Sequence, residues 1–427
     1  MKDTVTVIFD IGKTNKKFFL FDENLEEIAE EYVKIPEIKD DDGYACDDLA
    51  AIEAWIAEKY KSVSSDTKYR IKAINFSTYG ASLVHLGSNG KSVTPFYNYT
   101  KPFSEALLQE FYAKYDSKEQ WATETASPPL GMLNSGLQLY FLKYQKPELF
   151  KEITCSLHLP QYMSYLFSGK LTSEYTSIGC HTGLWNFEQK NYHNWVYEEK
   201  LYTLLPEIVP NATFFEKNGI KIGVGIHDSS SALLPYLKKS AAPFVLISTG
   251  TWCICINPFN PEPLTISELE NDCLNFMQTD GKPVKASRLF MGNEYNLQTE
   301  KLAKHFGKEN DFHKKVKFDK NLLKYNEKRI FVWQSLKNQG ITSASTDLSS
   351  FENYESAYHI LMQELMDLQV EKLRLALGSS KVKKIYVDGG FADNELYINI
   401  LKGEMQGFEI IPTQIPLGSA WGAASLV

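Results

Sequence analysis

The chain has 427 residues, 43% hydrophobic and 23% charged, with a formal net charge of −8. That length suits two domains with sizeable cores. The acidic balance and the absence of a Lys/Arg stripe argue against a nucleic-acid partner, and no apolar run reaches membrane-spanning length. Six cysteines, Cys46, Cys155, Cys180, Cys253, Cys255 and Cys273, form no CxxC pair and match no zinc spacing. Reduced thiols in a cytoplasmic protein are the expected state. The strand at the start leaves no room for a signal peptide.

Residues 4–9 are β-branched and apolar and predict a strand. A turn follows at Asp10-Ile11-Gly12-Lys13-Thr14-Asn15, then strands over 18–21 and 30–35. The acidic run Asp40-Asp41-Asp42 reads as a solvated loop rather than a metal site. Leu49, Ile52, Trp55, Ile56 and Tyr60 recur at helical spacing, so 47–60 predicts a helix with Asp47 and Asp48 at its positive end. A strand over 71–77 and a hairpin turning at Gly87-Ser88-Asn89-Gly90 come next, and 103–205 is richer in helical pattern. The second half reopens with a strand over 244–248, the polar turn Thr249-Gly250-Thr251 and a strand over 252–256. This repeats the N-terminal design and suggests an internal duplication. A helix over 354–377, a strand over 384–387 ending in Asp388-Gly389-Gly390, and a helix near 418–426 complete an α/β pattern. No flexible linker separates the halves. The boundary is expected between Pro235 and Pro243, dividing the chain into 1–238 and 239–427.

Several turns have a use in chemistry. Backbone N–H groups of a tight turn can face phosphate oxygens. At the first turn Gly12 permits close approach, Thr14 and Asn15 offer side-chain donors, and Asp10 is a candidate for Mg²⁺ through water. The same residues would equally make an ordinary hairpin. Thr249, Gly250 and Thr251 repeat the arrangement. Gly389 and Gly390 would let the backbone approach a flat base, with Asn394 one helical turn onward; a plain strand-to-helix turn is the alternative. In Gly225-Ile226-His227-Asp228-Ser229-Ser230-Ser231, Asp228 is the strongest candidate base, since phosphoryl transfer to an alcohol needs a carboxylate to take the hydroxyl proton. It would also serve as a helix N-cap. The GxxxxGK[ST] spacing of a P-loop and the G-x-S-x-G elbow of a hydrolase are both absent.

Taken in order, five segments of the chain resemble the FGGY family of carbohydrate kinases. VIFDIGKTNKKFFLFD resembles its opening phosphate turn and LHLPQYMSYLFSGKLTSEYTS its middle block. GIHDSSSA resembles its catalytic-aspartate block and LISTGTWCICINPF its second phosphate turn. YVDGGFADNELYINILKGEMQGFEI, with GSAWGAA, resembles its adenosine block. The resemblance implies the actin-like ATPase fold, an α/β architecture of two ribonuclease-H-like domains flanking a deep cleft, with ATP and Mg²⁺. It makes Asp228 the general base. Asp10, Gly12, Thr14 and Asn15 become one phosphate region, Thr249, Gly250 and Thr251 the other, and Gly389, Gly390 and Asn394 lie near the adenosine. Thr78, Tyr79 and Gly80 stand where relatives place substrate contacts. His227 is expected to hydrogen-bond the substrate or the protein itself rather than a metal, and Trp185 to stack on a sugar face; core packing and hairpin geometry are the alternatives for these pocket residues.

HDSSSA, STGTW and the stretch INFSTYGASLVHLGSNGKSVTPFYNY lean toward kinases of 6-deoxy ketohexoses such as L-fuculose or L-rhamnulose. Xylulose-, ribulose- and glycerol-type kinases are the alternatives, and a homodimer is left open. There are departures. Tyr97-Asn98-Tyr99-Thr100-Lys101 stands where many members have a Trp-x-Asp-x-Arg run, Gln138 replaces a usual Lys, and 334–351 is trimmed. These departures also fit a non-catalytic sugar- or nucleotide-sensing module; an intact Asp228 with two phosphate turns argues against it.

Overall fold

The computed structural model describes residues 2–323, 329–336, 346–413 and 418–427. The first half is built on a sheet of β1 (Asp3–Ile11), β2 (Lys16–Phe21), β3 (Glu27–Val33), β4 (Tyr69–Thr78), β5 (Phe214–Lys217), β6 (Ile220–Gly223) and β7 (Ile226–His227). Its order is β5-β6-β4-β1-β2-β3, with β7 also paired to β4. The second sheet holds β8 (Phe244–Thr249), β9 (Cys253–Asn257), β10 (Cys273–Met277), β11 (Pro283–Leu289), β12 (Lys384–Gly389) and β13 (Glu409–Pro412), in the order β10-β11-β9-β8-β12-β13. The helices that position the site are α1 (Leu49–Ser65), α2 (Asp228–Lys239), α3 (Met291–His305), α4 (Tyr354–Leu377), α5 (Glu395–Glu404) and α6 (Gly418–Ala424).

The two sheets repeat one design. In β3-β2-β1-β4-β6 the first three strands are antiparallel and the last three parallel. The run β11-β9-β8-β12-β13 has the same senses in the same order. The duplication expected from two glycine turns therefore extends over five strands, with β10 added outside.

Strand β1 is buried from Val5 to Ile11 because both of its faces are covered. Val5, Val7, Phe9 and Ile11 pack with Leu49, Ile52, Trp55 and Ile56 of α1. On the other face Ile8 packs with Phe19, Phe21, Leu234 of α2, and Ala420 and Ala423 of α6. The C-terminal helix thus returns to the first sheet and lies across α2. Helix α4, bounded as its periodicity predicts, is the centre of the second core, which also takes residues from β8, β9, α3 and α5. A smaller cluster joins the halves, with Cys180, Leu233 and Tyr236 against Phe244, Ile256, Phe276 and Ala286.

The turn expected at Gly87-Ser88-Asn89-Gly90 is present: the Gly90 N–H donates to the Gly87 carbonyl, the Gly87 N–H to the Lys91 carbonyl and the Val93 N–H to the His85 carbonyl, each at 2.9 Å. Its outgoing arm makes only an isolated bridge from Ser92 to Leu86, and Leu83–Leu86 pairs with Cys155–His158 instead. Only Asp48 serves α1, accepting from the Ala51 N–H at 3.0 Å; Asp47 turns toward two lysines. The run Asp40-Asp41-Asp42 is a turn with Asp41 and Asp42 exposed, as expected, but Asp40 is buried and all three carboxylates are paired with lysines. Lys101 Nζ lies 2.6 Å from Asp40 and Asp42, and Lys146 Nζ lies 2.6 Å from Asp41 and 2.7 Å from Asp42. Pro235 sits inside α2, so the crossover narrows to 240–243. The trimmed stretch 334–351 lies partly outside the described residues. All six cysteines are buried and free. Among the described residues no helix is long and apolar enough to cross a membrane.

Candidate active site

Strand register brings two distant carboxylates together. Asp10 and Ile11 of β1 pair with Ser77 and Thr78 of β4, which pair in turn with Ile226 and His227 of β7. Asp228 follows at once as the first residue of α2. Both carboxylates therefore sit at the carboxyl ends of parallel strands on either side of β4, where open α/β sheets place ligands. Burial pushes each up to about 6. For Asp10, the negative charge of Asp228 adds to this, while Lys17, with Nζ 4.0 Å from Oδ2, and the Ser419 hydroxyl, donating at 3.0 Å, oppose it.

Among the described residues the contacts to Asp228 fall on one oxygen. Oδ1 accepts from the Ser229 N–H at 2.6 Å and the Ser229 hydroxyl at 3.2 Å, and His227 Nε2 lies 3.2 Å away. His227 is also hydrogen-bonded to Cys180 Sγ at 3.1 Å, and burial pushes it down to about 4, so it is neutral near pH 7. Gly80 packs against this pair; a Cβ there would overlap Cys180 Sγ and come within 3.2 Å of His227.

Three expected sugar contacts are already engaged within the protein. Thr78 is fully buried and donates to the Tyr79 carbonyl at 3.0 Å. The Tyr79 phenol donates to Asp47 at 2.6 Å. The Trp185 ring is buried, in T-shaped contact with both Tyr175 and Tyr192 and in a cluster with Ile178 and Met277, so it serves packing. Gln138 is buried and donates to the Ala81 and Met132 carbonyls, both at 2.9 Å. Tyr99 packs on Tyr79 with ring centroids 6.1 Å apart.

Asp47 is the element that sequence reading missed. It accepts from Lys13 at 2.7 Å and from Lys16 at 2.9 Å, and Lys16 also donates to the Lys13 carbonyl at 3.0 Å. This pins the turn after β1 and draws Lys13 away from it. Within the turn the Gly12 N–H donates to the Asn15 carbonyl at 3.0 Å, which leaves Thr14 exposed and Asn15 half-buried at the rim.

In the second half, β8 and β12 end side by side, with Thr249 opposite Gly389. Thr249 Oγ1 donates to the Asp388 carbonyl at 2.6 Å and accepts from the Phe391 N–H at 3.0 Å, and the Thr249 carbonyl accepts from the Gly390 N–H at 3.0 Å. Its hydroxyl therefore braces two turns rather than facing a ligand. Gly389 has φ +87°, and a Cβ there would overlap the Thr249 carbonyl. Asn394 caps α5 and donates to the Tyr358 hydroxyl at 3.0 Å. Thr249, Gly250, Thr251, Gly390 and Asn394 line one cavity of about 580 Å³. Gly292, Tyr295, Asn296, His313 and Lys317 line it too; they carry no motif, so nothing in the sequence pointed to them.

Comparison with known proteins agrees with this arrangement. A carbohydrate kinase from Novosphingobium aromaticivorans has a TM-score of 0.80 at 19% identity, covering 98% of this chain and 93% of that one. A xylulose kinase from Lactobacillus acidophilus has a TM-score of 0.80 at 16% identity, covering 99% and 88%. A gluconate kinase from Lactobacillus acidophilus has 0.79 at 16%, covering 100% and 89%. The fold is the actin-like ATPase fold. Residues 5–217 match the N-terminal domain of the FGGY family of carbohydrate kinases and 241–427 its C-terminal domain; the chain belongs to that family. It is 26% identical over 229 residues to a rhamnulokinase from Oceanobacillus iheyensis, covering 49% of this chain and 46% of that protein. A rhamnulokinase from Bacteroides thetaiotaomicron is 25% identical over 230 residues, covering 49% and 45%. The alignments thus span about half the length of these curated relatives.

Proposed function

We propose that the protein transfers the γ-phosphoryl group of ATP to a hydroxyl of a small ketose or polyol, in the cytoplasm, with residues 1–238 holding the acceptor and 239–427 the nucleotide. The observation that carries this reading is the environment of Asp228. One oxygen is held by Ser229 and flanked by His227, and among the described residues the other has no hydrogen-bond partner. That second oxygen is the one to accept the proton of the acceptor hydroxyl. Burial sets the carboxyl at about 6, so it is ionised near neutral pH yet basic enough to take a proton.

The cavity beside Thr251, Gly390 and Asn394 suits the nucleoside, and the turns at 12–15 and 249–251 suit its phosphates. Closure of the halves on the acceptor would exclude water from the reaction. The residues fit Mg²⁺: Asp10 is a hard oxygen donor beside a second carboxylate, and burial raises both, so added positive charge is favoured. Asp10 would hold the ion through water, and the ion would neutralise charge on the phosphate oxygens.

A 6-deoxy ketohexose such as L-rhamnulose or L-fuculose is the favoured acceptor. Rhamnulokinases are among the sequence relatives, and His-Asp precedes the serine run. Neighbours named as xylulose and gluconate kinases keep other acceptors in the test. Purified protein with ATP and Mg²⁺ is assayed for ADP release on rhamnulose, fuculose, xylulose, ribulose, gluconate, glycerol and erythritol. Release dependent on one ketose is the expected result. Binding of a sugar without release of ADP would overturn the kinase reading in favour of a sensor.

Thr249→Val is expected to strip the brace from both turns. It removes one partner from the Asp388 carbonyl and the hydroxyl acceptor from the Phe391 N–H, at a cost of about 1–3 kcal/mol. Thermal melts with and without ATP should show lower stability and a smaller shift on nucleotide addition.

A further inference from the structure

We propose that Arg288 is a specificity-determining residue of the acceptor site, a guanidinium from the second half of the chain that hydrogen-bonds the oxygens of the bound sugar. The inference rests on the kinase reading above and adds to it the residue by which the second half grips the acceptor.

The alternation of β11 sets its direction. Val284 and Ala286 lie on the face that meets the first half, in the cluster with Cys180, Leu233 and Tyr236. Arg288 is the next residue in that row. Its partner across the ladder is Ile254 of β9, two residues beyond Trp252 at the end of the phosphate turn. The Trp252 ring lies 5.6 Å from the guanidinium carbon and packs on Phe290 with centroids 4.6 Å apart. The row thus ends between the phosphate turn and the wall behind Asp228.

That wall comes from the first half. His181 and His227 pack on Phe276 of β10, with centroids 6.3 and 5.5 Å apart. Cys180 Sγ lies 3.4 Å from His181 Nε2 and 3.1 Å from His227 Nε2, which is 3.2 Å from Asp228. The charge of Arg288 reaches this wall: burial first, and Arg288 second, push His181 down to about 3.

The donors of Arg288 are largely unspent. Nη2 is 3.2 Å from Asp272 Oδ1. Nε is buried and makes no hydrogen bond among the described residues, although a guanidinium offers five N–H groups and buried donors are normally satisfied. The side chain as a whole is 16% exposed, so a ligand can reach part of it, although Nε itself is buried. The Asp272 carboxylate offsets the charge of Arg288 but leaves its directional N–H groups. Such a group suits the neutral oxygens of a polyol better than a phosphoryl group in flight, which needs net positive charge.

The test uses Arg288→Met, which keeps the stem against Trp252, and Arg288→Lys, which keeps the charge without the planar fork. Steady-state kinetics on the best acceptor are combined with calorimetric titration of that acceptor without ATP. For Arg288→Met the acceptor KM and Kd should rise about 10- to 100-fold, the ATP KM should stay within about twofold, and Arg288→Lys should recover only part of the loss. Unchanged acceptor affinity in both variants, or a fall in kcat with both KM values intact, would overturn the assignment. Sugar binding by the wild type without ADP release would sink the kinase reading and leave calorimetry to decide on Arg288. No sugar binding by the wild type overturns both.

Discussion

Asp228→Asn is expected to lower acceptor-dependent turnover about 10²–10⁴-fold and, near pH 8, to raise the melting temperature. The first effect follows from removing the proton acceptor while keeping shape. The second follows from linkage. Burial raises the folded carboxyl from an ordinary 3.8 to about 6, so the folded protein binds this proton more tightly than the unfolded chain does. Stability from this group is therefore present at low pH and lost as pH rises from about 4 through about 6. Above that range the ionised form is a liability, and Asn removes it. Removing it also relieves Asp10, whose own raised carboxyl is pushed further by the charge of Asp228. A third of the Asp228 side chain is exposed, so solvent screens the gain to about 1–2 kcal/mol, or about 1–3 °C. In the wild type, kcat/KM for the acceptor should fall as pH drops through about 6, when the base takes up its proton. Calorimetric melts and rate profiles across pH 5–9 check all three points. An Asn variant less stable than wild type at pH 8 would mean that Asp228 serves the helix, not the chemistry.

Much of the fold was legible because burial on two sides writes itself into sequence. The β1 run, the strand before Thr249 and the helix Tyr354–Leu377 are apolar or periodic for that reason. Asp10 and Asp228 were legible one at a time, but their adjacency depends on the register of β4 between them, which no local pattern carries. Partner choice was illegible for the same reason. Asp47 looks like part of a helix start and instead neutralises Lys13 and Lys16. The Asp40 to Asp42 run looks like open loop and is filled by lysines from about 60 and 105 residues away. Trp185 and Tyr79 have the composition of sugar contacts, yet one is packed in T-shaped contact with two tyrosines and the other donates to Asp47. Periodicity reports that a side chain is buried; it does not report against what.

Gly422→Val is expected to cost about 3 kcal/mol and to take most of the activity with it, although residue 422 touches no proposed substrate. Helix α6 crosses α2 at this glycine. A Cβ there would overlap the carbonyl oxygen, the carbonyl carbon and Oγ of Ser231, and two of those atoms are backbone that cannot rotate aside. The helices would have to part. Ser231, one turn beyond Asp228, donates to the Ser419 carbonyl at 2.6 Å, and the Ser419 hydroxyl donates to Asp10 at 3.0 Å. Parting α6 from α2 therefore moves the two carboxylates relative to each other, where displacements on the order of 1 Å cost about 100-fold. The carbonyl of Ala423, which accepts from Asn75 at 2.8 Å, would be drawn off the first sheet in the same movement. Gly418→Ala is the matched control. Its Cβ would meet Ala232 at 3.8 Å, an ordinary contact, so melting temperature and kcat should stay near wild type. If Gly422→Val matched the control in both measurements, the crossing of α6 over α2 would be incidental to catalysis. If it lowered both, the geometry of Asp10 and Asp228 would depend on a helix from the far end of the chain.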